Sequence, residues 1–401
     1  MEAQGAAALQ VLRMTDLVVL ICDFQQGKYP HLGPLLSCCI DPQTFKVDDW
    51  YYVKHMGSEP LRRFDEVFQA GFAIYGHAGL RRLLSQEKRS MSIILSAYAA
   101  FSGNVDLLMY LCDRELVYSN RFVVDTAALQ GHLNILRCLH ERNLCGFTSR
   151  TMDAAAHNGH LDIIRFLHTT RMEGASKNAM TWAARNGHLE VVQFLHAYRR
   201  EGCSVGAMDW SATYGHLDVV EFLHVHRLEG GTVEAMDGAA AHGHLHVVKF
   251  LHAHRRADGM TAQAMNGASA NGHLEVVEFL HHVANAPCTT AAMDNAAAYG
   301  HLKVVQFLHA HRREGCTTRA MDDAARNGHL EVVQFLHLHR TEGATTAAIN
   351  RAAQNGHLAV VKYLHTSRNE GWTNEAFEHR EEVNRHVDVV AYLNSAPRRE
   401  D

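Results

Sequence analysis

Proline is scarce in this 401-residue chain, six in all, and no stretch concentrates proline or aromatics enough to form an extended linker or a low-complexity tract. The 43 acidic and 38 basic residues are interspersed without a block of five or six like charges, so no dedicated nucleic-acid surface is expected. Long apolar runs are missing too. Residues 17–22 are too few to span a bilayer, and Glu2, Arg13 and Asp16 interrupt any secretory signal. The nine cysteines include no C-x-x-C pair, and no N-x-S/T acceptor occurs, which predicts reduced thiols in a soluble, cytoplasmic protein. Nor is there a G-x-S-x-G, H-E-x-x-H, P-loop or EF-hand pattern, so the expectation is a non-enzyme without a cofactor.

What the chain does have is a repeat. Gly-His begins at 131, 159, 187, 215, 243, 272, 300, 328 and 356, an interval of 28 residues broken by a single 29. In the unit 317–344, Ala320, Met321, Ala324 and Ala325 fall at helical spacing (helix A). Asn327-Gly328 then breaks the helix, as residues that tolerate left-handed backbone do. Leu330, Val332, Val333, Phe335 and Leu336 form the apolar face of a second helix (helix B), with Glu331 near its start and Arg340 near its end as the helix dipole favours; Gly343 stops it. Such a hairpin has apolar residues on faces that only neighbouring hairpins can cover, so stacking is compulsory.

The pattern predicts an all-α helix-hairpin solenoid, an elongated monomer of about ten to twelve stacked hairpins. The array spans residues 71–393, firm from about 121 to 372, with a decayed copy at Gly76-His77. Residues 373–393 read as a C-terminal cap whose helix A has become the charged EAFEHREEV, followed by a polar tail at 394–401. Residues 1–70 lack the repeat; 9–24 and 33–39 are expected to be helices that precede the array or pack on it.

The run A-A-x-x-G-H-L-x-V-V-x-x-L, present with small changes from Gly131 to Gly356, resembles the heart of the ankyrin repeat. The resemblance implies paired antiparallel helices in a curved array that binds proteins. Two departures stand out: the period is 28 rather than 33, and R-A-M-D at 319–322 replaces T-P-L-H. The five missing residues fall where ankyrins carry a β-hairpin finger, so the fingers are expected to be absent or stubby. The short unit with AMD, GHL, FLH and EG resembles families expanded in protists.

Thirty-one histidines raise the question of metal, but eighteen belong to the repeat. Nine are the Gly-His copies; nine more end helix B, from His140 to His365, where the usual ankyrin pattern has leucine. The latter are expected to hydrogen-bond locally or to the next repeat. Pairs such as His309/His311 point about 200° apart on a helix and cannot chelate together, so no metal site is expected.

Candidate partner-binding residues come from the two variable positions between A-A and G-H, which the resemblance places on the concave side. Asparagine before glycine reads as a cap for helix A. Tyr214, His242 and Tyr299 depart from that habit, and Arg185, Arg326 and Gln354 complete the candidate set. Trp182 and Trp210 are expected to fill space between helices A. The repeat stutters at 255–259, with one extra residue, and at 283–287, where V-A-N-A-P replaces R-x-E-G; there the array is expected to end a helix differently and to bend or open. Two functions compete: a non-enzymatic protein-interaction scaffold, and a ubiquitin-ligase substrate adaptor docking the ligase through residues 1–70.

Overall fold

The structure, a computed structural model, describes residues 84, 88–117, 119–255, 258–377 and 386–396. The helices expected within residues 1–70, and the copy at Gly76-His77, lie outside the described residues. The chain divides into two compact units, residues 1–176 and 177–401.

In the first unit the helices pair as α1 (Lys88–Ser102) with α2 (Val105–Cys112), α3 (Arg121–Gln130) with α4 (Leu133–Glu141), and α5 (Ser149–His157) with α6 (Leu161–Thr170). In the second, the pairs are α7 (Lys177–Arg185) and α8 (Leu189–Tyr198), α9 (Gly206–Thr213) and α10 (Leu217–His226), α11 (Val233–Ala241) and α12 (Leu245–His254), and α13 (Ala262–Ala270) and α14 (Leu274–His282). They continue as α15 (Thr290–Ala298) and α16 (Leu302–His311), α17 (Thr318–Arg326) and α18 (Leu330–His339), and α19 (Thr346–Gln354) and α20 (Leu358–Ser367). A 3₁₀ turn, Asn374–Phe377, and α21 (Val387–Ser395) stand where the polar cap is expected; residues 378–385 of that cap lie outside the described residues. Among the described residues there is no strand, and six residues, 340–345, join α18 to α19, so the finger has shrunk to a plain loop.

Each hairpin follows from its residues. Thr317 is extended at the start of α17, and its hydroxyl accepts from the Arg319 N–H at 3.2 Å, satisfying one orphan amide of the first turn. Ala320, Met321, Ala324 and Ala325 face Val332, Val333 and Leu336, all essentially inaccessible. Alanine on helix A lets neighbouring A helices approach closely, while the branched residues of helix B fill the wider side.

Three polar ladders fix one repeat on the next. The first is Gly-His. Gly300 takes φ +80°, and a β-carbon there would lie 2.6 Å from Nδ1 of His329, one repeat on. Glycine is thus required twice, for the left-handed turn and for the space. The imidazole that fills the space donates to the carbonyl ending the previous helix A: His160 Nε2 to Leu129 O at 3.0 Å in the first unit, and His329 to Ala298 in the second. The asparagine two residues earlier reaches the same carbonyl, as in Asn158 to Leu129 (2.7 Å) and Asn327 to Ala298 (2.7 Å). Four of the five asparagines before glycine, Asn158, Asn271, Asn327 and Asn355, sit at φ between −104° and −92°, so the left-handed turn belongs to glycine. Their work is to clasp the preceding repeat.

The second ladder joins the aspartate of A-M-D to the capping threonine of the next repeat. The Asp322 carboxylate is buried and accepts from both the N–H and the hydroxyl of Thr345, each at 2.8 Å; Asp294 with Thr317 and Asp209 with Thr232 repeat the arrangement. Asn266 and Asn350 do the same work with Thr289 and Thr373, the amide donating to a hydroxyl that serves in either role. We therefore expect Asp322→Asn to change the unfolding free energy by less than about 1 kcal/mol, and Asp322→Ala to lower it by about 2–3 kcal/mol by orphaning a buried donor. Urea unfolding of both variants checks this; equal losses would show that the clasp depends on charge and not on shape.

The third ladder uses the histidines that end helix B. His309 Nδ1 accepts from Nη1 of Arg340 at 3.5 Å and His337 from Arg368 at 3.0 Å; the same arginines pair with Glu342 and Glu370. Each imidazole also stands edge-on to the aromatic ring of the next helix B, as His309 does to Phe335. The expected bond to the next repeat is thus made at His140, His224, His281, His309 and His337, with loop arginine as its donor, whereas Nδ1 of His196 has no partner.

Neither stutter opens the stack. In the lengthened loop Arg255 still donates to His224 Nδ1 (3.3 Å), with Asp258 replacing the usual glutamate. After α14, which ends one residue early, Asn285 takes φ +51° in place of the missing glycine, and Ala286 is buried with its N–H on Leu280 O. The Gly272–His301 contact and the Arg312–His281 bond persist across this loop, so the expected opening is absent. Local substitutes supply the same groups.

Candidate protein-binding face

Helix A exposes only a few positions, because alanine, methionine and aspartate are consumed by packing and clasping. Those facing outward are the residue after A-M-D, the last residue of helix A, and its C-cap. In α7, α9 and the C-cap after α9 these positions hold Arg185, Trp210 and Tyr214, and the structure brings them together. The Arg185 guanidinium lies over both rings, 5.3 Å from the Trp210 centroid and 5.2 Å from that of Tyr214, and donates to the Tyr214 hydroxyl at 2.8 Å. Trp210 and Tyr214 are 38% and 45% exposed. The expectation that Trp210 fills the space between helices A is therefore corrected. One step along, its position is taken by Gly238, too close to the previous helix for a side chain, and the indole lies on the surface under Arg185.

His242 continues the row at 6.4 Å from the Tyr214 ring, donating from Nδ1 to Gly238 O at 3.0 Å, and stacks at 6.3 Å on His244. Burial, with His246 and His242 facing it, holds the His244 imidazole below its ordinary pKa. The remaining candidates are dispersed. Tyr299, 64% exposed, follows α15. Arg326 is exposed at the end of α17 and contributes its carbonyl to the Asn355 amide. Gln354 is tied down, its amide donating to Glu375 O at 2.6 Å. Sequence reasoning missed Trp210 as a member of this face; the signal was its spacing, 25 residues after Arg185 and four before Tyr214.

Among the described residues no group of three or more histidine, cysteine, aspartate or glutamate side chains is arranged to hold a metal ion, although imidazoles of neighbouring repeats approach to 5.7 Å at His309 and His339. No described helix is long and apolar enough to cross a membrane. The buried thiols of Cys203 and Cys316 are pushed up to about 11 by desolvation, which suits packing and not nucleophilic chemistry.

Residues 151–230 and 264–345 match the family model for ankyrin repeats (3 copies). These segments are ankyrin repeats. No curated protein matches the chain. Ankyrin repeats are protein-interaction modules, and in this array the outward positions of helices A change from one repeat to the next. The short ankyrin unit also explains why no finger competes as a binding element.

Proposed function

We propose that this protein is a monomeric cytoplasmic scaffold that binds, and does not chemically alter, a partner protein along the exposed surface of helices A, the side that the ankyrin resemblance makes concave. Its centre is Trp210, Tyr214 and His242, with Arg185 beside them and Tyr299 farther along. The observation that carries this reading is what these residues replace. At five C-caps asparagine stands before glycine, and in the four of Asn158, Asn271, Asn327 and Asn355 its amide clasps the preceding repeat's carbonyl. Tyr214, His242 and Tyr299 have no such amide, so three clasps are missing from a fold that uses them elsewhere. Exposed aromatic surface in exchange for a stacking bond favours binding.

The adaptor alternative rests on residues 1–70, outside the described residues, and no observation favours it. The test is a photocrosslinking amino acid placed at Tyr214 or Tyr299, against controls at Glu221 and Glu278 on helices B, in extract of the producing cells. A discrete protein adduct from the first pair and none from the second is the expected result; adducts confined to the helix B positions would refute the assignment.

A further inference from the structure

The partner's chemistry follows from Arg185. The arginine that directly follows helix B has a carboxylate beside it in most repeats: Arg199 with Glu201, Arg227 with Glu229, Arg312 with Glu314, Arg340 with Glu342. Arg185 has none among the described residues. It is half-buried, one N–H is committed to the Tyr214 hydroxyl, and two aromatic rings lie against its guanidinium. Held in this way, the guanidinium has little conformational entropy left to lose, and its remaining N–H groups form a fork that matches a carboxylate.

The surface beyond is low and, apart from Glu234 in the first turn of α11, uncharged. Gly238, Ala241, Gly267 and Ala270 occupy the outward positions of α11 and α13; a β-carbon on Gly267 would lie 2.7 Å from Cβ of Ala241, so the two helices meet too closely for anything larger. Exposed Tyr299 rises on the far side, three repeats from Tyr214. At about 8–10 Å per packed helix this is roughly 24–30 Å, the span of about eight extended residues.

Resting on the binding face argued above, we propose that the partner presents an extended acidic segment bearing aromatic side chains. One of its carboxylates pairs with Arg185, a ring covers Trp210 and Tyr214, and the chain crosses the glycine and alanine floor toward Tyr299. The opposite surface of the same unit is unsuited to such a segment, since helices B expose Glu190, Asp218, Glu221, Glu275, Glu278 and Glu331. A nucleic-acid strand would need a track of cations along its phosphates, whereas no arginine or lysine stands at the outward positions between Arg185 and Arg319.

Fluorescence anisotropy on the full chain tests this with three labelled probes: a nine-residue peptide alternating Glu and Tyr, its Lys/Tyr counterpart, and a 20-nucleotide oligo-dT. The Glu/Tyr peptide is expected to bind at least tenfold tighter than either other probe, and more weakly as salt rises. Arg185→Gln should weaken it at least fivefold, Arg185→Lys by less, and Glu221→Gln by under twofold. Thermal melts identify any variant that fails to fold, and Arg185→Lys, which keeps the charge, then carries the comparison. Equal binding of the two peptides, preference for Lys/Tyr or oligo-dT, or Arg185→Gln within twofold of wild type overturns the proposal. If the peptides fail while the Tyr214 crosslink forms, the acidic segment is wrong and the binding face stands; crosslinks confined to helices B remove both.

Discussion

Gly300→Ala is expected to lower the unfolding free energy by about 3 kcal/mol, among the largest effects of any single methyl group in this protein. Two costs add. Alanine at φ +80° pays about 1–2 kcal/mol for left-handed backbone, and its β-carbon would occupy space 2.6 Å from Nδ1 of His329. The imidazole must then swing out, breaking its bond to the Ala298 carbonyl, which is worth about 1 kcal/mol. A double-mutant cycle with His329→Ala separates the terms, because removing the imidazole relieves the collision and leaves the backbone strain. Urea unfolding should give a coupling of about 1–2 kcal/mol between the two positions. No coupling, with Gly300→Ala costing the same whether or not His329 is present, would mean that the glycine serves the turn alone.

The reciprocal fit of glycine and histidine shows which parts of this fold were legible in the sequence. The period, the two helices and the turn could be read because each is encoded inside one unit, in Ala320, Met321, Leu330 and Val333 and their spacing. The contacts that lock units together could not, because they pair unlike residues 23 to 31 positions apart. Asp322 gives no local sign that its partner is Thr345, and Asn327 looks like a helix cap although its amide serves the Ala298 carbonyl. At the candidate site the same limit applied. Tyr214 and His242 stood out as departures from asparagine, but Trp210 carried no mark beyond its spacing from Arg185 and Tyr214 and so read as a core residue. Arg185 could be named by type, yet its value as an oriented cation depends on rings supplied 25 and 29 residues on.

Acidification from pH 7 to pH 5 is expected to destabilise the stack well before any carboxylate outside the normal range can account for it. Among the imidazoles that end helices B, His281 and His309 accept a hydrogen bond at Nδ1 from a guanidinium, and protonating that nitrogen removes the acceptor and sets two cations together; Nδ1 of His196 has no hydrogen-bond partner, so there protonation only adds a cation beside Arg227. His309 faces Arg340, His339 and Glu342; His281 faces Arg312, Glu314, His282 and His311; His196 faces Arg227, His226 and Glu229. Burial first, and the cationic neighbours second, hold all three below the ordinary histidine value of 6.5, and the glutamates offset this only in part. The Gly-His imidazoles His244, His273, His329 and His357 are lowered in the same direction, chiefly by burial. A base whose pKa is depressed by folding takes up a proton on unfolding, so its stabilisation is complete above about pH 6.5 and is lost as pH falls through the folded value. Asp125 in the first unit acts oppositely: burial pushes it up to about 7, so its contribution improves as pH falls from 7 toward 4, but it is one proton against seven. Glu229 and Glu342, held at about 2 by their arginines, add losses only below about pH 4.5. Urea unfolding of the full chain should therefore give a plateau above pH 7 and, between pH 6.5 and 5, a slope of about 4 kcal/mol per pH unit, the uptake of about three protons at about 1.4 kcal/mol each. Changing His196, His281 and His309 together to leucine, the residue of the usual ankyrin pattern, should flatten that slope by about one-third to one-half while leaving each arginine its glutamate. An unchanged slope in the triple variant would mean that the helix B histidines do not carry the pH dependence.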